Sequence, residues 1–214
     1  MAILTLVFSF LLRVTIPNFP AWILIGILVW RFFSIATSQG LSSIIGNPSL
    51  VTKVHLSRYV IVLSNNVGNL LGATLEFLVM LPLLVILGVN MSAYVLFLPV
   101  ILIFEFLLVF ALSLSLSALN LKYRDFNQIW EIALQLGFFL SPIVYDSNLI
   151  PARFSFAYSL NPVTRLIEST RSIFLLKQLP SLYDNAVMLS GIGIFLVLGF
   201  VIFRSLEGRF AEEL

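Results

Sequence analysis

Long apolar runs separated by short polar breaks set the pattern of this chain. Trp22 to Ile45, Val60 to Leu87, Tyr94 to Ala118, Ile129 to Tyr145 and Asn185 to Phe203 are the long runs. Each approaches the roughly 20 apolar residues a helix needs to cross about 30 Å of hydrocarbon. Met1 to Leu12 is apolar too, but at 1.5 Å per residue it reaches only about 18 Å and reads as the end of a helix whose beginning is missing. The breaks are compact. Arg13 to Pro20 carries Pro17 and Pro20, and Gly88 to Ala93 is uncharged. Leu119 to Phe126 is so short that the runs on either side must be antiparallel neighbours. The pattern predicts an all-α polytopic membrane protein with about six transmembrane helices, the first one truncated.

Two stretches between spans have their own periodicity. Gly46-Asn47-Pro48 breaks a helix, and Leu50 to Arg58 then reads as a short amphipathic segment. Leu50, Val54 and Ser57 fall on one side, Lys53 and His55 elsewhere. Residues 146–183 are too polar to span simply and too apolar for a free linker. Within them Asn161-Pro162 is a helix start, Asn as N-cap and Pro at the first position. Val163, Leu166, Ile167, Thr170, Ile173 and Phe174 form one stripe, and Arg165, Glu168 and Arg171, spaced i, i+3, i+6, are expected together on another face, where they can pair. The expectation is an amphipathic or re-entrant helix before the last span.

Smaller signals refine the spans. Gly68 and Gly72 fit G-x-x-x-G, a close-packing face for a second helix. Ser113 with Ser117, and Ala111 with Ser115, offer small faces for tight helix contact. Pro82 is expected to bend its span, Trp22 to sit at an interface, and Glu131 to favour the first turn of its helix.

Composition narrows the class. The 214 residues are 60% hydrophobic and only 10% charged, with mean hydropathy +1.07. Soluble domains run nearer about 25% charged. A net charge of +2, with no basic run, gives no support for nucleic acid. With no cysteine there is neither disulfide nor thiolate metal site, and the single histidine, His55, builds no metal site alone. No phosphate loop of the G-x-x-x-x-G-K-[ST] kind occurs, no Ser-His-Asp set is available, and no internal repeat is visible. Met1 to Leu12 lacks the basic start and small-residue cleavage site of a signal peptide.

Three charges fall inside apolar runs. Arg31, Glu76 and Glu105 each sit roughly 16–18 Å from the same end of their spans, so they can meet at one level. Arg31 is expected to pair with Glu76 or Glu105, leaving the other carboxylate neutral or on a water-filled path. Such a pair fixes helix order or serves transport. Five crossings put Lys53, Arg58, Lys122, Arg124, Arg204 and Arg209 on one side and Arg13, Arg153, Arg165, Arg171 and Lys177 on the other. The short loops make the first side cytoplasmic.

Three stretches together resemble the permease subunit of ABC-2 type exporters, in the branch that exports lipid-linked polysaccharide or polyol phosphate. Leu119-Asn120-Leu121-Lys122-Tyr123-Arg124-Asp125-Phe126 is similar to the family's L-N-[VL]-[RK]-Y-R-D-[VIF] loop. Phe139-Leu140-Ser141-Pro142-Ile143-Val144-Tyr145 is similar to its F-[LA]-S-P-[VI]-[IL]-Y span end. Leu160-Asn161-Pro162-Val163-Thr164-Arg165-Leu166-Ile167-Glu168 is similar to its L-N-P-[LMV]-x-x-[LI]-[IV]-E segment. They stand in the family's order and spacing, and the likeness runs from about Trp22 to Arg209.

That resemblance implies a single ABC-2 type transmembrane domain over 1–214, in the plasma (inner) membrane, working as a homodimer. It implies two copies of a separate ABC ATPase subunit that bind the ATP and Mg, no cofactor in this chain, and no catalysis by it. Residues 46–59 become the cytoplasmic coupling loop, with Asn47, Leu50, Lys53, His55 and Arg58 at the ATPase. Residues 119–127, with Asn120, Lys122, Tyr123, Arg124 and Asp125, become a second cytoplasmic loop. Residues 146–183 become the outer gate segment; Ser141, Pro142, Tyr145, Asn161, Pro162 and Glu168 are its site residues. The chain departs from the family pattern at Ser57 and Tyr59, where Pro and Glu are usual, and at its start, where an interface helix and a full first span are expected.

The implied function is export of a lipid-linked glycan (polysaccharide, O-antigen, capsule or teichoic-acid-like) through membrane lipids, with no nucleic acid involved. A small-molecule or drug exporter of the same fold would need a narrower, more apolar path. A membrane-embedded enzyme of lipid-linked sugar metabolism would need clustered Asp, His or basic residues near an interface, which the sequence lacks.

Overall fold

The computed structural model describes residues 16–53, 57–123, 125–147, 158, 160–208 and 210. Among them the chain is helical, with no strand. In order come α1 (Phe19–Ser42), α2 (Pro48–Lys53), α3 (Tyr59–Ile86), α4 (Leu98–Lys122), α5 (Phe126–Leu140), α6 (Pro162–Arg171) and α7 (Leu182–Glu207). A 3-10 turn, Ala93–Phe97, leads into α4, and a π-helical turn, Ser172–Leu176, continues α6. The expected span end at Met1 to Leu12, and the charges at Arg13, Arg153 and Arg209, lie outside the described residues.

Among the described residues four segments are long and apolar enough to cross a membrane: α1, α3, α4 with its leading turn, and α7. The run expected over Ile129 to Tyr145 has different helix bounds. Residues 126–140 form a helix of 15 residues, about 22 Å long. It stops because Ser141 precedes Pro142, and a residue before proline is pushed out of the helical region; Ser141 is extended at φ −97° and ψ 147°. By contrast α3 runs through Pro82 without a break.

The central helix is α4, which packs on α7, α1, α3, α6 and α5. The small-residue faces explain how closely. A Cβ on Gly199 of α7 would run into the backbone carbonyl of Ala111, with Ser115 Oγ 3.5 Å away. Gly40 of α1 lies as closely against the side chain of Ser113. The G-x-x-x-G pair meets no other described helix of the same chain: a Cβ at Gly68 or Gly72 would have nothing within 4 Å among the described residues.

The main core lies between α1, α4 and α6, with Ile23, Ile25, Val29, Ile101, Leu108 and Leu166 almost wholly buried. A second cluster near the α2 end holds Ile44, Val62, Leu114, Phe203 and Phe210. Large apolar side chains on α3, α5 and α7 stay exposed, among them Leu75, Leu136 and Val197. In water such surface would be a liability; across hydrocarbon it is what a span needs.

Candidate functional site

At the end of the bundle that carries α6, the tail of α5, the first turn of α1 and the last turn of α6 are organised around one guanidinium. Asn161 caps α6, its Oδ1 accepting from Val163 N at 3.0 Å, and Pro162 supplies the first turn. The whole stripe Val163, Leu166, Ile167, Thr170, Ile173 and Phe174 is buried. The expected grouping of Arg165, Glu168 and Arg171 on one face is corrected. Six residues of helix leave Arg171 about 120° round from Arg165, so Arg171 turns inward. Arg165 pairs instead with Asp184 of α7. There Ser181 Oγ accepts from Asp184 N at 3.0 Å and donates to Asp184 Oδ2 at 2.6 Å.

Arg171 is 6% exposed. Its Nη1 donates to Pro142 O at 2.6 Å, Nη2 to Ile143 O at 3.1 Å and Nε to Trp22 O at 3.3 Å. Its plane lies over the Trp22 ring. Trp22, in the first turn of α1, is therefore a buried platform for this guanidinium. Gly26 makes room: a Cβ there would lie 2.6 Å from Nη2. Burial lowers the Arg171 pKa to about 9, against the opposing pull of Tyr158, Glu168 and Asp146; the cation persists at neutral pH. Burial also raises the Tyr145 and Tyr158 hydroxyls, so both stay protonated. Ser141 is buried and its hydroxyl has no hydrogen-bond partner among the described residues.

A cavity of about 620 Å³ opens beside this cluster, with Asn18, Trp22, Asn90, Asp146, Glu168 and Arg171 on its walls. Gly88, at φ +83°, makes the turn that closes one side.

At the opposite end, the stretch leading into α2 and the end of α4 come together with the end of α7, Ile44, Leu121 and Phe203 sharing one buried cluster. Asn47 Nδ2 donates to Ser43 O at 2.9 Å; Leu50 is exposed, and Lys53 closes α2. His55 and Val54 lie outside the described residues. Arg58 donates to Glu207 O and lies over the Phe210 ring, 5.6 Å from its centroid. Asn120 is buried, its Nδ2 donating to Leu41 O at 3.3 Å, so it is a tie between α4 and α1. Lys122 Nζ stands 5.2 Å from the centroid of the exposed Tyr123 ring. Asp125 precedes α5 without a side-chain cap, and Arg124 lies outside the described residues.

At mid-depth Arg31 Nη2 meets Glu76 Oε1 at 3.0 Å, one of the two pairings expected. Glu105 is fully buried on α4, and neither carboxylate oxygen has a hydrogen-bond partner among the described residues. Sequence reasoning missed Arg171 as the organiser of this end of the bundle. Its one available signal was an arginine next to the apolar stripe of α6. Among the described residues no group of three or more His, Cys, Asp or Glu could hold a metal.

This is a multi-pass helical membrane protein. The chain belongs to the ABC-2 type transporter family, whose profile matches residues 1–175. It is 33% identical over 213 residues to an O-antigen export system permease protein, RfbA, of Klebsiella pneumoniae, covering 97% of this chain and 80% of that one. A protein of the same description from Myxococcus xanthus is 31% identical, covering 100% of this chain and 83% of the relative.

Proposed function

We propose that the chain is the permease subunit of an exporter that moves a lipid-linked glycan across the plasma membrane. The glycan would be a polysaccharide, an O-antigen, a capsule or a teichoic-acid-like chain. Two copies of the chain form the conduit, and each docks an ABC ATPase subunit that binds and hydrolyses ATP with Mg. The observation that carries this reading is likeness across nearly the whole chain to proteins described as O-antigen export permeases. The three stretches of family-like sequence support it, since they fall at the α4–α5 corner, the end of α5 and the start of α6.

In this reading residues 46–59 and 119–127 face the cytoplasm, and residues 146–183 form the outer gate. Exposed Leu50 and the basic end of α2 are the surface offered to the ATPase. Arg58, Asn120 and the end of α7 hold that surface to the bundle. Closure of the ATPases would tilt α2 and pass the motion to α3 and α7.

The test is complementation. Co-expressed with its ATPase in a strain lacking the permease, the chain should restore glycan at the cell surface. Lys53→Glu, and separately Leu50→Asp, should abolish export while membrane insertion is intact. Unchanged export with both substitutions would remove the coupling role. Export with no ATPase present would remove the whole reading.

A further inference from the structure

The Arg31–Glu76 pair is exposed. The Arg31 side chain is 55% and the Glu76 side chain 33% accessible, although both sit inside spanning helices. A charged side chain laid against lipid tails at that depth is strongly disfavoured. Something polar therefore covers this face.

The pair is the top of a longer polar track. Along α1, Arg31, Ser34, Ser38 and Ser42 return to one side at helical spacing, with Ile35 as the single apolar member; all are exposed or half-buried. Along α3, Asn65, Asn69, Gly72 and Glu76 do the same. Asn69 Nδ2 donates to Asn65 Oδ1 at 3.1 Å. The two helices pack on each other and run antiparallel, so one contact sets their register. Arg31 meets Glu76, and Gly40 lies against Asn66, whose Oδ1 would be 3.5 Å from an added Cβ. Both contacts give the same register. Ile35 is then level with Gly72, Ser38 with Asn69, and Ser42 with Asn65. Two polar stripes run side by side from the α2 end of the bundle up to the ion pair.

We propose that this α1–α3 face is a water-filled groove, open at the α2 end, that takes the phosphate-bearing head of the exported solute, with Arg31 as its anion-binding residue. This deepens the proposed function and rests on its assignment of the α2 end to the cytoplasm. Hydroxyls and amides line the lower groove and suit a hydroxyl-rich, solvated head. The planar guanidinium of arginine matches phosphate bidentately, and a single oxygen of Glu76 occupies it at rest. Gly72 leaves the groove open just below the pair, since a Cβ there would meet nothing within 4 Å among the described residues. Glu76 holds Arg31 in place until an anion displaces it.

The chain contains no cysteine, so single cysteines report on the full protein directly. Ile35→Cys and Asn69→Cys are placed in the groove. Leu78→Cys is the control, exposed on α3 at nearly the depth of Glu76 but turned to the far side. Inverted membrane vesicles holding the permease with its ATPase are treated with a charged, membrane-impermeant methanethiosulfonate. The two groove cysteines should react at least about tenfold faster than Leu78→Cys, because a thiol in apolar surroundings does not ionise. Equal, slow rates at all three positions would mean that lipid covers the face and would overturn the groove. A dominant disulfide between two copies at Ile35→Cys, with labelling lost, would make it a subunit seam and also overturn it. Pyrophosphate should slow labelling at Ile35→Cys, and Arg31→Gln should abolish that protection. No protection in the Arg31 protein would overturn the anion site. Surface glycan is scored separately, so failed export would sink the parent reading and leave the labelling pattern standing.

Discussion

Arg171 stacks on Trp22, its guanidinium carbon 3.2 Å from the centroid of the ring. The same side chain satisfies three backbone carbonyls, those of Trp22, Pro142 and Ile143. Trp22 O keeps its place in the α1 ladder, but replacing Arg171 by alanine takes from the buried carbonyls of Pro142 and Ile143 the donor that the structure gives them, at roughly 1–3 kcal/mol for each group orphaned. Arg171→Ala is expected to lower the thermal midpoint of the purified protein in detergent sharply. Arg171→Lys should recover only part of the loss, since an ammonium has neither the planar fork nor the stacking face. Equal midpoints for wild type and Arg171→Ala would show that the cluster holds nothing together.

Gly199 is expected to tolerate no side chain. An added Cβ meets the Ala111 carbonyl, and backbone cannot step aside. Gly199→Val should part α4 from α7, with folded yield in detergent falling several-fold. Gly193 lies on the same helix with nothing within 4 Å of an added Cβ among the described residues. Gly193→Ala should therefore be neutral or stabilising by up to about 1 kcal/mol, the helix-propensity difference. Thermal melting of the two variants side by side checks both.

Glu105 gives the opposite expectation from most buried polar residues. Its carboxylate oxygens have no hydrogen-bond partner among the described residues, so removing them breaks no bond that the structure contains. Replacing an unpaired buried polar group by an apolar one of similar volume is neutral or stabilising. Glu105→Met should hold or raise the thermal midpoint. A fall worth more than about 1 kcal/mol would point to a partner and a structural use for the acid.

The tie between α6 and α7 should be weak in its charges and stronger in its cap. Asp184 is a third exposed and Arg165 partly so, and exposed pairs contribute about 0–1 kcal/mol. A double-mutant cycle with Arg165→Ala and Asp184→Ala is expected to return a coupling below about 1 kcal/mol. Ser181→Ala removes the cap that accepts from Asp184 N and should cost about 1 kcal/mol by itself. Chemical denaturation in mixed micelles measures both.

The sequence disclosed what depends on near neighbours. Asn161-Pro162 announced the start of α6, and the six-residue stripe announced its buried face, because capping and helical period are local properties. Ser113 and Ala111 announced close helix contact, although Gly40 and Gly199 became their counterparts only once the bundle was assembled. Depth counted along the spans put Arg31 level with both Glu76 and Glu105; which carboxylate it meets depends on helix rotation, and rotation is set by packing. Gly68 and Gly72 matched a contact motif but meet no neighbour among the described residues of this chain, since a motif of small residues permits an approach without supplying the partner. The end of α5 came earlier than hydropathy implied because apolar content does not register the local effect of Pro142. The inward turn of Arg171 needed a tertiary partner, Trp22, 149 positions away.

The irregular stretch after α5 has a mechanical meaning. Backbone without helix is tolerated at membrane depth only when protein supplies its hydrogen bonds. Here the carbonyls of Pro142 and Ile143 look to Arg171 for what another turn of helix would have given them. One side chain thus substitutes for missing secondary structure and, through Trp22, fastens it to α1. The start of α1, the tail of α5 and α6 are shackled into one rigid block, and no tilt of α6 can leave the other two behind.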